Sequence, residues 1–389
     1  MHARQLYPLV AAAALGITLA PVAAAQAPTI QVQGRIQVQY RASSGDSSGN
    51  YNPTLMSNGF EVRRLRIQTN VRFGDNITLV IQPSFEMGAL RMRDAFVRVG
   101  LTPRFGVSAG QEKSPFQRYE LTSSNTLPSI DRGVRILRLS NKEGLNDILV
   151  NNGYASHDLG AFVDYVGPDS KVTVKVGVQN GSRESAPDVN NAKSFFGRAT
   201  AIAITNADNQ PVLQFGASFG SRDRAICSVC AGAIAYYADS AKQTTAFGVD
   251  AEWGGFRPGL HLIADFATGD NAPFANRIAT GRNTGNLRTS ADTALRTFRG
   301  LSLVGAYRVI TSGSDTRVIK ILEPSLRVDY LDPDTKTAND QGILITPVLN
   351  IYFANNVLLR AGVDLYSYKD AAGVSRSARE IKFSWQANF

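Results

Sequence analysis

The residues of this chain best placed to do chemistry are bases. Arg64, Arg66 and Arg72 share one side of the stretch 60–73, while Leu65, Ile67, Val71 and Phe73 occupy the other. Arg98 lies on a second alternating stretch. Lys113, Arg118, Arg132 and Arg135 crowd a segment, 111–156, that lacks sustained alternation. Clustered bases attract anions, and the planar fork of arginine can donate two bonds to a phosphate or carboxylate. The chain has 41 Lys+Arg against 32 Asp+Glu, a formal net charge of +9. A plainer reading stands beside this one. Glu86, Asp94, Asp164, Asp250, Asp265, Glu323, Asp329 and Asp364 fall on the same side as the bases, and ion pairs between them would stiffen a wall. Around Arg64 and Arg66 the bases outnumber the local acids, which favours an anion role there.

Catalytic groups are scarce. Beyond the N-terminal segment the histidines are His157 and His261. A hydrolase would need one of them as general base, and His261 with Asp265 or Asp250 is the arrangement available. Cys227 and Cys230 are spaced C-x-x-C. They lack the strand-to-helix setting of a redox pair and a second ligand pair for zinc. In an oxidising compartment they are expected to form a local disulfide. No cofactor or metal site is expected.

These groups need a scaffold to hold them. Arg4, the apolar run from Leu9 to Ala20 and then Ala23-Ala24-Ala25 form a secretory signal peptide over 1–25. The expected mature chain, 26–389, reads as one unit. At its end Ile381, Phe383, Trp385, Ala387 and Phe389 alternate with Lys382, Ser384, Gln386 and Asn388. At its start Ile30, Val32, Ile36 and Val38 alternate with Gln31, Gln33, Arg35, Gln37 and Gln39. A period of two is a strand period. Three arginines on one strand face cannot point into lipid, where each costs about 2–4 kcal/mol at the midplane. The fold expected is all-β: a transmembrane antiparallel β-barrel of about sixteen strands, lipid outside and water inside.

Short turns such as Gly74-Asp75-Asn76 alternate with long loops, among them 42–58, 111–156, 221–243 and 269–295. With an even strand count both termini fall on the turn side, which faces the periplasm of an outer membrane. Sixteen strands leave an aqueous channel. The mixed aromatic, proline and basic content of 111–156 suggests an insert folded into that lumen. Rings of Arg and Lys lower the barrier for anions. The expected surroundings are outer-membrane lipid and lipopolysaccharide, with the terminal Phe389 presented to the barrel-assembly machinery. Export argues against nucleic acid as a partner.

From Gly59 onward the chain resembles a known family. GFEVRRLRIQ (59–68), LRMRDAFVRV (90–99) and VSAGQEKSPFQRYELTSSNTLPSIDR (107–132) are similar to segments of the phosphate-selective porins O and P, as are HDLGAFVDY (157–165) and LNIYFANNVLLRAGVDLY (349–366). The resemblance implies a sixteen-stranded outer-membrane porin, a homotrimer, with an inward-folded third loop and an anion-preferring constriction. It also implies that Lys113 and Arg118 are the constriction bases, and that Arg64 and Arg66 match a basic strand motif. The function so indicated is passive diffusion of small anionic solutes, with phosphate the leading candidate. The alternatives are an outer-membrane hydrolase and a non-conducting structural or adhesive barrel.

Overall fold

The computed structural model describes residues 27–389 except 47–50, 55–56, 87, 140–143, 182–183, 185–187, 189–190, 230–235, 256, 272–287, 290–295, 312–317, 355 and 370–372. The expected signal peptide and the expected Cys227–Cys230 disulfide lie outside the described residues.

The first wall strands are β1 (Thr29–Gly45), β2 (Gly59–Phe73), β3 (Ile77–Glu86), β4 (Ala89–Gly100) and β5 (Phe105–Lys113). Two short helices follow, α1 (Arg118–Leu121) and α2 (Leu145–Asn152). The wall resumes with β6 (His157–Val166), β7 (Val172–Gln179), β8 (Ser194–Thr205), β9 (Pro211–Val229), β10 (Tyr236–Trp253) and β11 (Gly259–Asn271). It is completed by β13 (Arg296–Ile310), β14 (Ile321–Asp332), β15 (Gly342–Ala354), β16 (Val357–Lys369) and β17 (Ser375–Asn388). The two-residue β12 (Arg288–Thr289) pairs parallel with β9 and is no part of the wall. Sixteen antiparallel strands therefore form the wall. It closes where β1 pairs with β17, from Arg35↔Asn388 to Gly45↔Ala378. Beyond the last strand residue, Gly34 and Phe389 exchange two main-chain hydrogen bonds of 2.8 and 2.9 Å. Among the described residues no strand of the wall is left without a neighbour on either side, as lipid requires.

Alternation sets the two faces. Ile30, Val32, Phe60, Ile67, Val97, Val172, Val176, Phe247 and Trp385 are exposed on the outside. Arg35, Gln37, Gln39, Arg41, Lys382, Ser384 and Gln386 are buried inside. Two bulges interrupt the rule. On β2, Gln37 pairs with Arg64 but Val38 pairs with Val62, so Arg63 is the extra residue. On β4, Ile81 pairs with Ala95 but Pro83 pairs with Met92, leaving Arg93 and Asp94 opposite Gln82. An extra residue shifts the phase by one. Arg63 and Arg64 therefore both point inward, and Arg93 joins Asp94.

Two boundaries differ from expectation. Lys113 ends β5 and pairs with His157, so the insert begins at Ser114. The stretch 221–243 is not all loop: β9 and β10 stay paired from Ser221↔Thr245 to Arg224↔Lys242 and beyond. Small and polar residues hid this extension, because they break the alternation by which a wall strand is recognised.

The insert fills part of the barrel. Phe116, Leu145, Ile148, Leu149, Tyr154 and Ala155 pack with the wall residues Phe196, Ala246, Ala267, Phe298 and Leu331. Val134, Ile136 and Leu139 pack with Leu344, Tyr366, Tyr368 and Ala378, and Tyr51 of the first loop joins them. Apolar burial of this kind stabilises by roughly 25 cal/mol per Å², which is what makes the loop an ordered body.

Candidate functional site

The insert is fastened to the wall by hydrogen bonds on several strands. The Tyr119 N–H at the start of α1 donates to Asp265 Oδ2 at 2.9 Å. The Pro128 carbonyl accepts from Ser325 Oγ at 2.9 Å and from Asn350 Nδ2 at 2.8 Å. Arg327 donates to the Asp131 carbonyl at 2.8 Å, and the Leu137 N–H donates to Glu380 Oε2 at 2.5 Å. These partners lie on β11, β14, β15 and β17. Open space borders β1–β8.

Two cavities occupy that space. The first, ≈ 310 Å³, is lined by Arg35, Arg66, Lys113 and Arg132 and by one acidic side chain, Asp94, together with His157, Gln33, Gln68, Gln82, Ser123, Ser124, Asn125 and Asn388, and by Leu121 and Phe389. The second, ≈ 550 Å³, is lined by four bases, Lys113, Arg118, Lys175 and Arg198, and by three acids, Asp94, Glu112 and Asp164. Gln68, Asp94, Lys113 and Leu121 border both.

The sequence-selected bases divide. Arg66, Lys113 and Arg132 line the first cavity, and Lys113 and Arg118 the second. Lys113 Nζ lies 3.2 Å from Glu120 Oε1, and Arg118 Nε 2.5 Å from Glu252 Oε2. Arg98 pairs with Asp164 at 2.5 Å. Arg64 is buried, donating to Gln37 Oε1 at 2.9 Å with Asp131 at 3.5 Å, and lines neither cavity. Arg72 is exposed at the turn end of β2. Arg135 lines neither cavity, and its carbonyl accepts from Arg41. The inward base Arg35 is held differently. Its guanidinium donates to Ser124 Oγ at 2.6 Å and to Asn125 Oδ1, and among the described residues it has no ion-pair partner.

Two acids gather most of the neighbouring charge. Glu86 accepts from Arg66 at 2.9 Å, pairs with Arg93 and lies 4.0 Å from Arg64. Asp131, on the insert, lies 3.0 Å from Arg63, 3.5 Å from Arg64 and 3.1 Å from Lys382. Burial works against its ionised form, but Lys382, Arg63 and Arg64 hold its carboxyl well below the usual range. Burial likewise opposes ionisation of Glu120, while Lys113 and Arg132 hold it down to about 2. Both acids are ionised at neutral pH and clamp the insert.

Arg63 and Arg93 are the bases that strand counting passed over. A signal for them exists: Phe60 and Val62 are out of phase with Leu65 and Ile67, and Leu90 and Met92 with Ala95 and Val97. Each slip marks a bulge. The histidines have other tasks. The carboxylate at His261 Nε2 is Glu252, at 3.0 Å, while Asp265 accepts from Tyr119 and Asp250 takes two bonds from Arg198. His157 Nε2 meets Asp94 at 3.3 Å.

Comparisons with known proteins agree with this architecture. The profile of the family described as phosphate-selective porin O and P matches residues 30–294. No curated protein matches the chain in sequence. Among solved structures, an anion-selective porin from Comamonas acidovorans superposes with a TM-score of 0.57 at 10% identity, covering 93% of this chain and 100% of that one. The outer membrane channel DcaP of Acinetobacter baumannii gives 0.55 at 12% identity, covering 93% and 97%. The trimer form of OmpT, an outer membrane protein of Vibrio cholerae, gives 0.52 at 14%, covering 93% and 100%.

Proposed function

From the premise that this chain belongs to the phosphate-selective porin O and P family, we propose that it is a porin whose passage prefers anions. The chain is an outer-membrane porin built on a closed sixteen-stranded barrel. The preference rests on one observation. Among the described residues Arg35 faces the first cavity with neutral partners alone, while its neighbours Arg66, Lys113 and Arg132 are paired with Glu86 and Glu120. An uncompensated cation in a narrow passage favours anions over cations. Arg118 extends the basic lining into the second cavity, Arg98 and Arg64 hold the wall, and Arg72 and Arg135 act at a distance. Small inorganic anions, phosphate among them, are the solutes first to be tested.

The remaining features belong to the same reading. The protein works as a channel and not as an enzyme. It assembles as a homotrimer in lipid and lipopolysaccharide, supported by the trimer form of the OmpT relative. Both termini face the periplasm, residues 1–25 are removed on export, and Phe389 is recognised by the assembly machinery. Zero-current potentials across planar bilayers in a potassium chloride gradient test the central claim. Anion preference gives the sign of chloride permeation; the opposite sign defeats it.

A further inference from the structure

The two cavities differ in a way that net charge does not describe. The first is mostly polar, and of its bases Arg35 alone has no ion-pair partner among the described residues: Arg66 pairs with Glu86, and Lys113 and Arg132 lie 3.2 and 3.7 Å from Glu120. The second has an apolar flank: Val80 of β3 and Phe96 of β4 are paired neighbours on the lumen side, and Pro115 and Leu121 of the insert border the same space. A porin lumen is ordinarily polar, so this flank calls for an explanation. Phe96 is only half-buried, so its ring is open to the passage.

The bases around this cavity are also balanced. Arg118 is paired with Glu252 and Arg198 with Asp250, each at 2.5 Å. Lys175 is paired with Glu112 and sits over the Phe162 ring at 4.7 Å. A doubly charged, strongly hydrated ion such as phosphate would shed water against Phe96 and Leu121 with little net charge to replace it. An anion with one charge and an apolar body meets the opposite balance. Its body removes apolar surface from water along Val80, Phe96 and Leu121. Its carboxylate is directed to Lys113, which lies 3.2 Å from Glu120 Oε1 and borders both cavities.

We propose that the second cavity selects organic monoanions with an aromatic or short apolar body, in preference to inorganic phosphate. This rests on the porin reading and narrows its substrate class.

The test compares benzoate, acetate and phosphate as potassium salts, each against chloride, in bilayers holding the full-length trimer or monomer as purified. A purely sieving pore passes benzoate less readily than the smaller acetate. Here the wild-type ratios of benzoate to acetate and of benzoate to phosphate permeability are each expected at or above one. Phe96→Ser and Leu121→Ser are each expected to lower the benzoate-to-acetate ratio about threefold or more, the worth of part of one apolar contact. Chloride conductance reports in parallel that each variant has folded, and either conducting variant is sufficient. Either wild-type ratio below one, or a benzoate-to-acetate ratio that neither conducting variant moves, overturns the inference and leaves the porin reading intact. No conductance in any salt overturns both.

Discussion

Lys382 Nζ on the strand that closes the barrel lies 3.1 Å from Asp131 Oδ2 on the insert and 2.5 Å from Asp364 Oδ2 on its neighbour. One ammonium thus ties the wall seam to the body inside it. Arg63, held inward by a bulge, reaches the same Asp131 at 3.0 Å. Closure of the cylinder and docking of the loop are coupled through these few charges.

Asp131→Asn is expected to loosen the insert strongly. It leaves Arg63, Arg64 and Lys382 without their shared acid, and removing one partner of a buried pair costs about 3–5 kcal/mol. The measurement is the denaturant midpoint of the detergent-solubilised barrel, with single-channel noise as a second readout. An unchanged midpoint and a quiet channel would show that the apolar packing alone holds the loop.

Arg35→Gln is expected to lower the chloride-to-potassium permeability ratio about twofold or more, because an unpaired lumen charge acts directly on the permeating ion. Arg135→Gln, which lines neither cavity, should shift the zero-current potential less. Equal shifts from the two would mean that general lumen charge, and not the first cavity, sets selectivity.

Acid should release the insert. Glu120 titrates near 2 in the folded protein, against roughly 4.3 in an unfolded chain. A depressed carboxylate lends stability above its unfolded value and loses it as pH falls through the folded one. Asp131 is shifted in the same direction. Docking is therefore expected to be constant from pH 7 to about 5 and to weaken between about 4 and 2. Pepsin cleavage within 114–156 across that range checks it; sensitivity that does not rise with acid would contradict the assignment.

Gly110→Ala is expected to weaken the barrel. Gly110 sits at φ 132, and a Cβ there would lie 2.3 Å from the Ala95 carbonyl oxygen. Strain of this kind costs about 1–3 kcal/mol. A lower temperature for conversion from the folded to the unfolded gel band would report it.

The strand walls were legible in the sequence because lipid on one side and water on the other impose a period of two, and few alternatives bury Arg35, Gln37 and Lys382 while exposing Ile36 and Trp385. The family was legible from segments such as 107–132. The tasks of individual bases were not. Alternation says that Arg64 and Arg66 face inward, but not that Arg64 is spent on Gln37 and Asp131 while Arg66 borders open space. Arg35 looked like any other inward base until the insert met it with Ser124 and Asn125 instead of an acid. Those pairings join residues distant in sequence, such as Arg35 with Ser124 and Lys382 with Asp131, and depend on where a loop comes to rest against a closed wall. Periodicity is a local property and fixes the face of a side chain; its partner across the lumen is set by how the whole cylinder closes around the insert.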